Sequence, residues 1–203
     1  MSNPAEEDRE SGGHGNATGV LSAAEIERRH GLAVGNPLRL SVIPWSKGSV
    51  QAASLDVHLG NWFAVPRRTR LASVDLSDPG GMAWAETAGR ERLFVRSGEK
   101  FVLHPGDCVL GTTREFVALP NDVMAFVEGR SGIGRMGVVV ATATQVAPGF
   151  HGVIVLELAN IGTVPVQVKP EMGIAQLVFA HTLMAPGDRA RGYRGRFHCQ
   201  IYP

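Results

Sequence analysis

Between residues 38 and 182 the chain is cut into short apolar runs: LRLSVIP, SLDVHLG, RLFVRSG, KFVLHPGD, EFVALPND, VMAFVEG, MGVVVAT, HGVIVLELAN, VPVQVKPEMG and IAQLVFAHT. Each is rich in Val, Leu, Ile or Phe and is bounded by Gly, Pro, Asn or Asp, the pattern of strands closed by turns. The chain carries 25 Gly and 12 Pro, placed mostly between these runs. The fold class this predicts is all-β, a distorted barrel or jelly-roll double sheet with little helix. One short N-terminal helix is expected over LSAAEIERRHG. Ser22 followed by Glu25 forms a capping box there, Gly31 supplies the stop, and Ile26 faces the core.

No internal repeat or long linker divides residues 20–185, so they form one β domain with enough apolar content for a full core. Residues 1–19 combine Gly, Ser and Asn with an EEDRE cluster and have almost nothing to bury, which predicts a disordered acidic tail. Residues 186–203 turn basic, with Arg189, Arg191, Arg194 and Arg196 close together, and are read as an arm. Lys and Arg total 20 against 19 for Asp and Glu, a balance that gives no bulk attraction to nucleic acid or an anionic membrane. Cys108 and Cys199 make neither a disulfide framework nor a structural zinc site, which fits a reducing, cytoplasmic setting. No apolar leader precedes the tail, and no run reaches the roughly 18 apolar residues of a membrane span.

Two stretches carry chemistry. In EGRSGIGRMGV, residues 128–138, Gly129, Gly132 and Gly134 allow close backbone approach, Ser131 offers a hydroxyl, and Arg130 and Arg135 offer planar forks suited to phosphate oxygens. The stretch matches neither established Gly-rich phosphate fingerprint, and by itself it also reads as a plain turn. In VIVLELAN, Val155, Glu157 and Ala159 share one face of a strand while Ile154, Leu156 and Leu158 share the other. Glu157 is then either a carboxylate neutralised by an arginine or left at a sheet edge, or an acid in an apolar pocket that takes and gives protons. His58, His104, His151, His181 and His198 lack metal-ligand spacing, and neither the zinc-deaminase pattern nor a G-x-S-x-G elbow is present.

Taken in order, VLSAAEI, VQAASLDVHLGNWF, LHPGDCVLGTTREFVALP, EGRSGIGRMGV, APGFHGVIVLELAN, MGIAQLVF and RFHCQ resemble the dCTP deaminases, zinc-free enzymes sharing a trimeric β fold with the dUTPases. The resemblance implies a dUTPase-like barrel and hydrolytic deamination of dCTP, or of a related cytosine nucleotide, to dUTP and ammonia. It implies a homotrimer with shared sites, no zinc, and Mg2+ entering only with the triphosphate. The catalytic residues it implies are Glu157 as general base and acid, Arg135 contributed across a subunit boundary, and Ser131. The nucleotide site it implies comprises Arg130, Ser131, Gly132, Ile133, Gly134 and Arg135, then Ala143, Ala147 and Val155, with Tyr193, Arg196 and Gln200 from the arm.

The chain also departs from that pattern. Ala147 stands where the family has an aspartate that contacts the sugar in deaminases and activates water in the triphosphatases. Gly132 replaces a second serine, Arg196-Phe197 replaces Lys-Tyr, and Val140 replaces a polar residue. Alanine accepts no hydrogen bond from a sugar hydroxyl, so altered sugar selectivity is expected. The same departures keep two other readings open: a nucleotide-binding regulator without turnover, and a dUTP diphosphatase, against which the missing aspartate argues.

Overall fold

The computed structural model describes residues 19–86, 88–140, 143–183, 193, 195, 199 and 201–203. The expected tail, apart from Gly19, therefore lies outside the described residues, as do Arg196 and Gln200 of the expected arm. In chain order the strands are β1 (Ser41–Ile43), β2 (Leu55–Pro66), β3 (Arg90–Phe94), β4 (Phe101–Leu103), β5 (Cys108–Ala118), β6 (Val123–Gly129), β7 (Val138–Val140), β8 (Gln145–Val146), β9 (His151–Asn160), β10 (Val166–Val168) and β11 (Gly173–His181). Every apolar run read as a strand contributes one.

All described pairings are antiparallel. The main sheet runs β7, β9, β5, β2, β11, β6, β8, with β1 on β5 and β3 on β2, while β10 pairs with β4 in a small second sheet. Strand β2 joins the two halves of the curl: residues 55–58 pair with β11, and Leu59, Phe63 and Ala64 pair with β5. At the bend a Cβ on Gly60 would lie 2.6 Å from Thr112 Oγ1, so only glycine lets β2 and β5 approach there. Register shifts between Leu59 and Phe63 and between Thr112 and Phe116 mark bulges, the usual means of bending a sheet toward closure. Leu55, Val57, Leu59, Phe63, Leu156, Leu158, Leu177 and Phe179 fill the enclosed core.

Helix α1 (Ala23–His30) starts where expected, with Ser22 Oγ accepting the Glu25 N–H at 3.4 Å. The reciprocal half of the capping box is replaced by ion pairs. The Glu25 carboxylate accepts from Arg28 Nε at 2.6 Å and Arg29 Nε at 2.7 Å instead. Gly31 ends the helix in a right-handed conformation, so its stop does not use the left-handed freedom of glycine. Two further short α-helices form among the described residues. In α2 (Pro79–Glu86), Asp78 accepts the Gly81 N–H at 3.0 Å and Pro79 takes the first helical position, a good start that the Gly-Gly pair disguises in the sequence. The Gly/Arg stretch itself winds into α3 (Ser131–Gly134).

Helix α1 is fixed to the sheet by charge. Arg29, only 4% exposed at its side chain, makes a two-pronged contact with Asp122 at 3.1 and 2.8 Å while also holding Glu25. Losing Asp122 leaves the buried Arg29 with Glu25 as its remaining carboxylate, so Asp122→Ala is expected to lower stability by roughly 1 to 2 kcal/mol in urea unfolding. The hydrogen bond from Arg28, joined by that from Arg29 and opposed by partial burial, holds the Glu25 carboxyl at about 2 instead of 4.5. A depressed carboxyl contributes stability that is complete above its ordinary value and is lost as pH falls through its folded one. Thermal melts taken as pH drops from 4.5 toward 2 should therefore fall more steeply for the wild type than for Glu25→Gln.

Candidate active site

Strand β6 ends by delivering Gly129 and Arg130 into α3. Arg130 is extended, with φ −72° and ψ 131°, and its carbonyl accepts the N–H groups of Ile133 at 2.9 Å and Gly134 at 3.0 Å. The Arg135 N–H donates to Ser131 O at 3.0 Å. This winding leaves the first amides of the turn without a carbonyl inside it, available to an acceptor. Arg130, Ser131, Gly132 and Ile133 line an open pocket whose opposite wall is Met172, Gly173 and Gln176, at and just before the start of β11. Gly134 and Arg135 continue the same turn, and both are exposed.

The Arg130 guanidinium, 42% exposed, has its Nη2 3.9 Å from Asp56 Oδ2, and Gln51 Nε2 donates to that same oxygen at 3.3 Å. In register, Asp56 of β2 faces Gln176 of β11, which faces Glu128 of β6, so a polar row crosses three strands beside the turn. Asp56 also reaches a second, more enclosed cavity bordered by Trp45, His58 and Glu115. There His58 donates its backbone N–H to one Glu115 oxygen at 2.9 Å, and its Nδ1 lies 2.8 Å from the other.

Glu157 lies outside the lining of that pocket. It lies on β9, where burial alternates without a break: Ile154, Leu156 and Leu158 are buried, and Val155, Glu157 and Ala159 are half-buried. The face division read from the sequence is the one observed. Glu157 pairs in register with Leu110 of β5, and the Ala143 N–H points to its Oε2 at 3.5 Å, bringing Ala143 and Val155 to the same acid. Ala147 occupies the turn between β8 and β9, where its carbonyl accepts the Phe150 N–H at 3.2 Å. Tyr193 joins that turn: its N–H donates to Pro148 O at 3.0 Å and its ring meets Phe150 edge-on at 5.6 Å.

One protomer thus presents two limbs. Arg130, Ser131, Gly132 and Ile133 gather around the first, and Ala143, Val155 and Glu157 around the second, while Ala147 and Tyr193 belong to the turn that leads into β9. Glu157 is not among the residues lining the Arg130 pocket. Among the described residues no three His, Cys, Asp or Glu side chains gather as metal ligands, and no helix is long and apolar enough to cross a membrane. Sequence reasoning missed Asp56, Met172, Gly173 and Gln176. Gln176 had a visible signal, a lone polar residue inside the apolar run IAQLVFAHT, the same kind of signal that singled out Glu157.

A curled antiparallel sheet carries this Gly/Arg turn between β6 and β7. The solved structure of 2′-deoxycytidine 5′-triphosphate deaminase from Agrobacterium tumefaciens shares the fold with a TM-score of 0.60, at 24% identity over 81% of this chain and 48% of the other. The chain spans about half the length of that protein. The family model described as dCTP deaminase-like matches residues 20–182. The dCTP deaminase of Natronomonas pharaonis is 42% identical over 180 residues, 85% of each chain. A dUMP-forming dCTP deaminase of Halobacterium salinarum is 49% identical over 144 residues, 70% of this chain and 71% of that one. The chain belongs to the dCTP deaminase-like family and is an enzyme of its hydrolase class.

Proposed function

We propose that this chain hydrolytically deaminates dCTP, or a closely related cytosine nucleotide, to dUTP and ammonia, with Glu157 moving the protons. The observation that carries this reading is the placement of Glu157: a carboxylate between Val155 and Ala159 on the half-covered face of β9, with a backbone amide directed at it. Water adds to C4 of the cytosine ring, giving its proton to Glu157. That proton passes to the ring nitrogen, and the exocyclic amine leaves as ammonia with a second proton from the attacking water. One carboxylate that faces the base and is flanked by apolar groups serves each transfer.

The two limbs suggest how the site is completed. Half-buried Val153, Val155 and Ala159 leave the Glu157 face of β9 open to a second copy of the chain. In our reading a homotrimer brings one protomer's Arg130, Ser131 and Arg135 to the Glu157 of its neighbour, so that phosphates and base are held by different subunits. Gly132, Ile133 and Gly134 provide the backbone of the phosphate turn, Ser131 a hydroxyl, and Arg135 a charge at the reacting end. Mg2+ accompanies the triphosphate, and Tyr193, with Arg196 and Gln200, belongs to the arm over the nucleotide.

Ammonia release from dCTP, with product mass recorded, tests this reading. Glu157→Gln should reduce the rate by about 10²- to 10⁴-fold, the usual span for a general acid and base. Nucleotide binding without ammonia from any cytosine nucleotide would instead establish a regulator. A dUMP product would place the chain with relatives of the Halobacterium kind.

Ala147 offers a separate check. Lacking an acceptor for a 3′-hydroxyl, the wild type should turn over dCTP and its 3′-deoxy analogue with similar KM. Ala147→Asp should then favour dCTP by roughly tenfold, as one charge-assisted hydrogen bond allows.

A further inference from the structure

The Arg130 side chain lies against a backbone seat. A Cβ built on Gly173 collides with Arg130 Nη1, and the next two atoms it meets, Cζ at 3.3 Å and Cδ at 3.8 Å, belong to the same arginine. The three closest obstacles to a side chain at position 173 are therefore all Arg130. The seat is shaped by a register shift between Gly173 and Ala175 in the pairing of β11 with β2, a local bend of the kind that re-aims side chains. Met172 O accepts the Leu59 N–H at 2.9 Å, and Leu59 O accepts the Glu171 N–H at 2.8 Å, so the backbone leading into the seat is pinned to β2.

One edge of the guanidinium faces Asp56. Asp56 Oδ2 lies 3.9 Å from Nη2 and is itself steadied by Gln51, while Asp56 Oδ1 is buried without a hydrogen-bond partner. A planar fork lodged against glycine, with a carboxylate 3.9 Å from one nitrogen, has fewer orientations open to it than an untethered one. Arg130 lines the same pocket as Ser131, Gly132 and Gln176.

We propose that Gly173 and Asp56 are positioning residues: together they fix the Arg130 fork so that it recognises the phosphate chain of the nucleotide, without touching the base. The inference rests on the assignment of Arg130 to phosphate made above. Fixing a fork in advance matters because an untethered arginine loses more side-chain freedom when it closes on phosphate. Gly173→Ala moves Arg130 without deleting it. Asp56→Asn keeps the shape and removes the charge.

The test is calorimetric titration of dCTP and dCMP into the full chain carrying Glu157→Gln, with a chelator present to exclude divalent cations. Arg130→Ala, Gly173→Ala and Asp56→Asn are each expected to weaken dCTP binding by about tenfold. Binding of dCMP and the unfolding midpoints should change little. Added to Arg130→Ala, neither Gly173→Ala nor Asp56→Asn should weaken dCTP binding further, since both act through that side chain. If Arg130→Ala weakens binding while the other two bind dCTP as tightly as the parent or more tightly, the positioning role is overturned and the phosphate assignment stands. Equal losses with and without Arg130 would also overturn it, by showing an independent structural effect. Undiminished binding by Arg130→Ala would overturn the phosphate assignment and the inference together.

Discussion

The register between β5 and β9 decides what the rest of the molecule can do. Side chains alternate with period two, so a slip of one residue along β9 would turn Glu157 into the core and Leu156 and Leu158 out of it. Burying a lone carboxylate while exposing two leucines is costly twice over. The slip is also opposed locally. Thr113 Oγ1 donates to Glu115 O at 2.8 Å and accepts the Ile154 N–H at 2.9 Å, filling the gap left in the ladder where the register shifts. A single threonine thus closes the bulge and holds β9 with its acid on the half-covered face.

The same bulge bends β5 against β2, where Gly60 lets the two backbones meet. Before that point β2 runs beside β11, which carries Gly173 and Gln176 to the Gly/Arg turn. The placement of Arg130 and of Glu157 within a protomer therefore follows from one curved sheet. Helix α1 sits outside this path. Its Arg29 contact with Asp122, just before β6, secures the entry to the strand that ends at Arg130.

Strands and their faces were legible in the sequence because they depend on local alternation and on turn residues, and β9 behaves as its pattern requires. Helix α1 was legible through Ser22, but the partners of Glu25 were not, because a capping box and an ion pair compete for the same carboxylate and the proximity of Arg28 and Arg29 decides between them. Helix α2 was missed because Pro-Gly-Gly looks like a turn, although Asp78 and Pro79 start a helix well. In the candidate site, Arg130 and Glu157 were visible as charged groups in unusual settings. Asp56 and Gly173 were not, since their meeting with Arg130 depends on strands β2 and β11 pairing out of chain order, which no spacing records.

Polar residues inside apolar strands link these cases. Asp56, Gln176 and Glu157 are polar residues at half-buried positions that alternate with core positions, and covering such groups without partners is unfavourable. A carboxylate oxygen of Asp56 left buried without a partner is the clearest example. Fold alone gives no reason to retain such groups, since an apolar residue would pack as well at lower cost. The function proposed above does give one: a phosphate chain would need a fixed fork, and a ring nitrogen a proton shuttle. Under that reading, these half-buried polar positions are the ones around which the site is built.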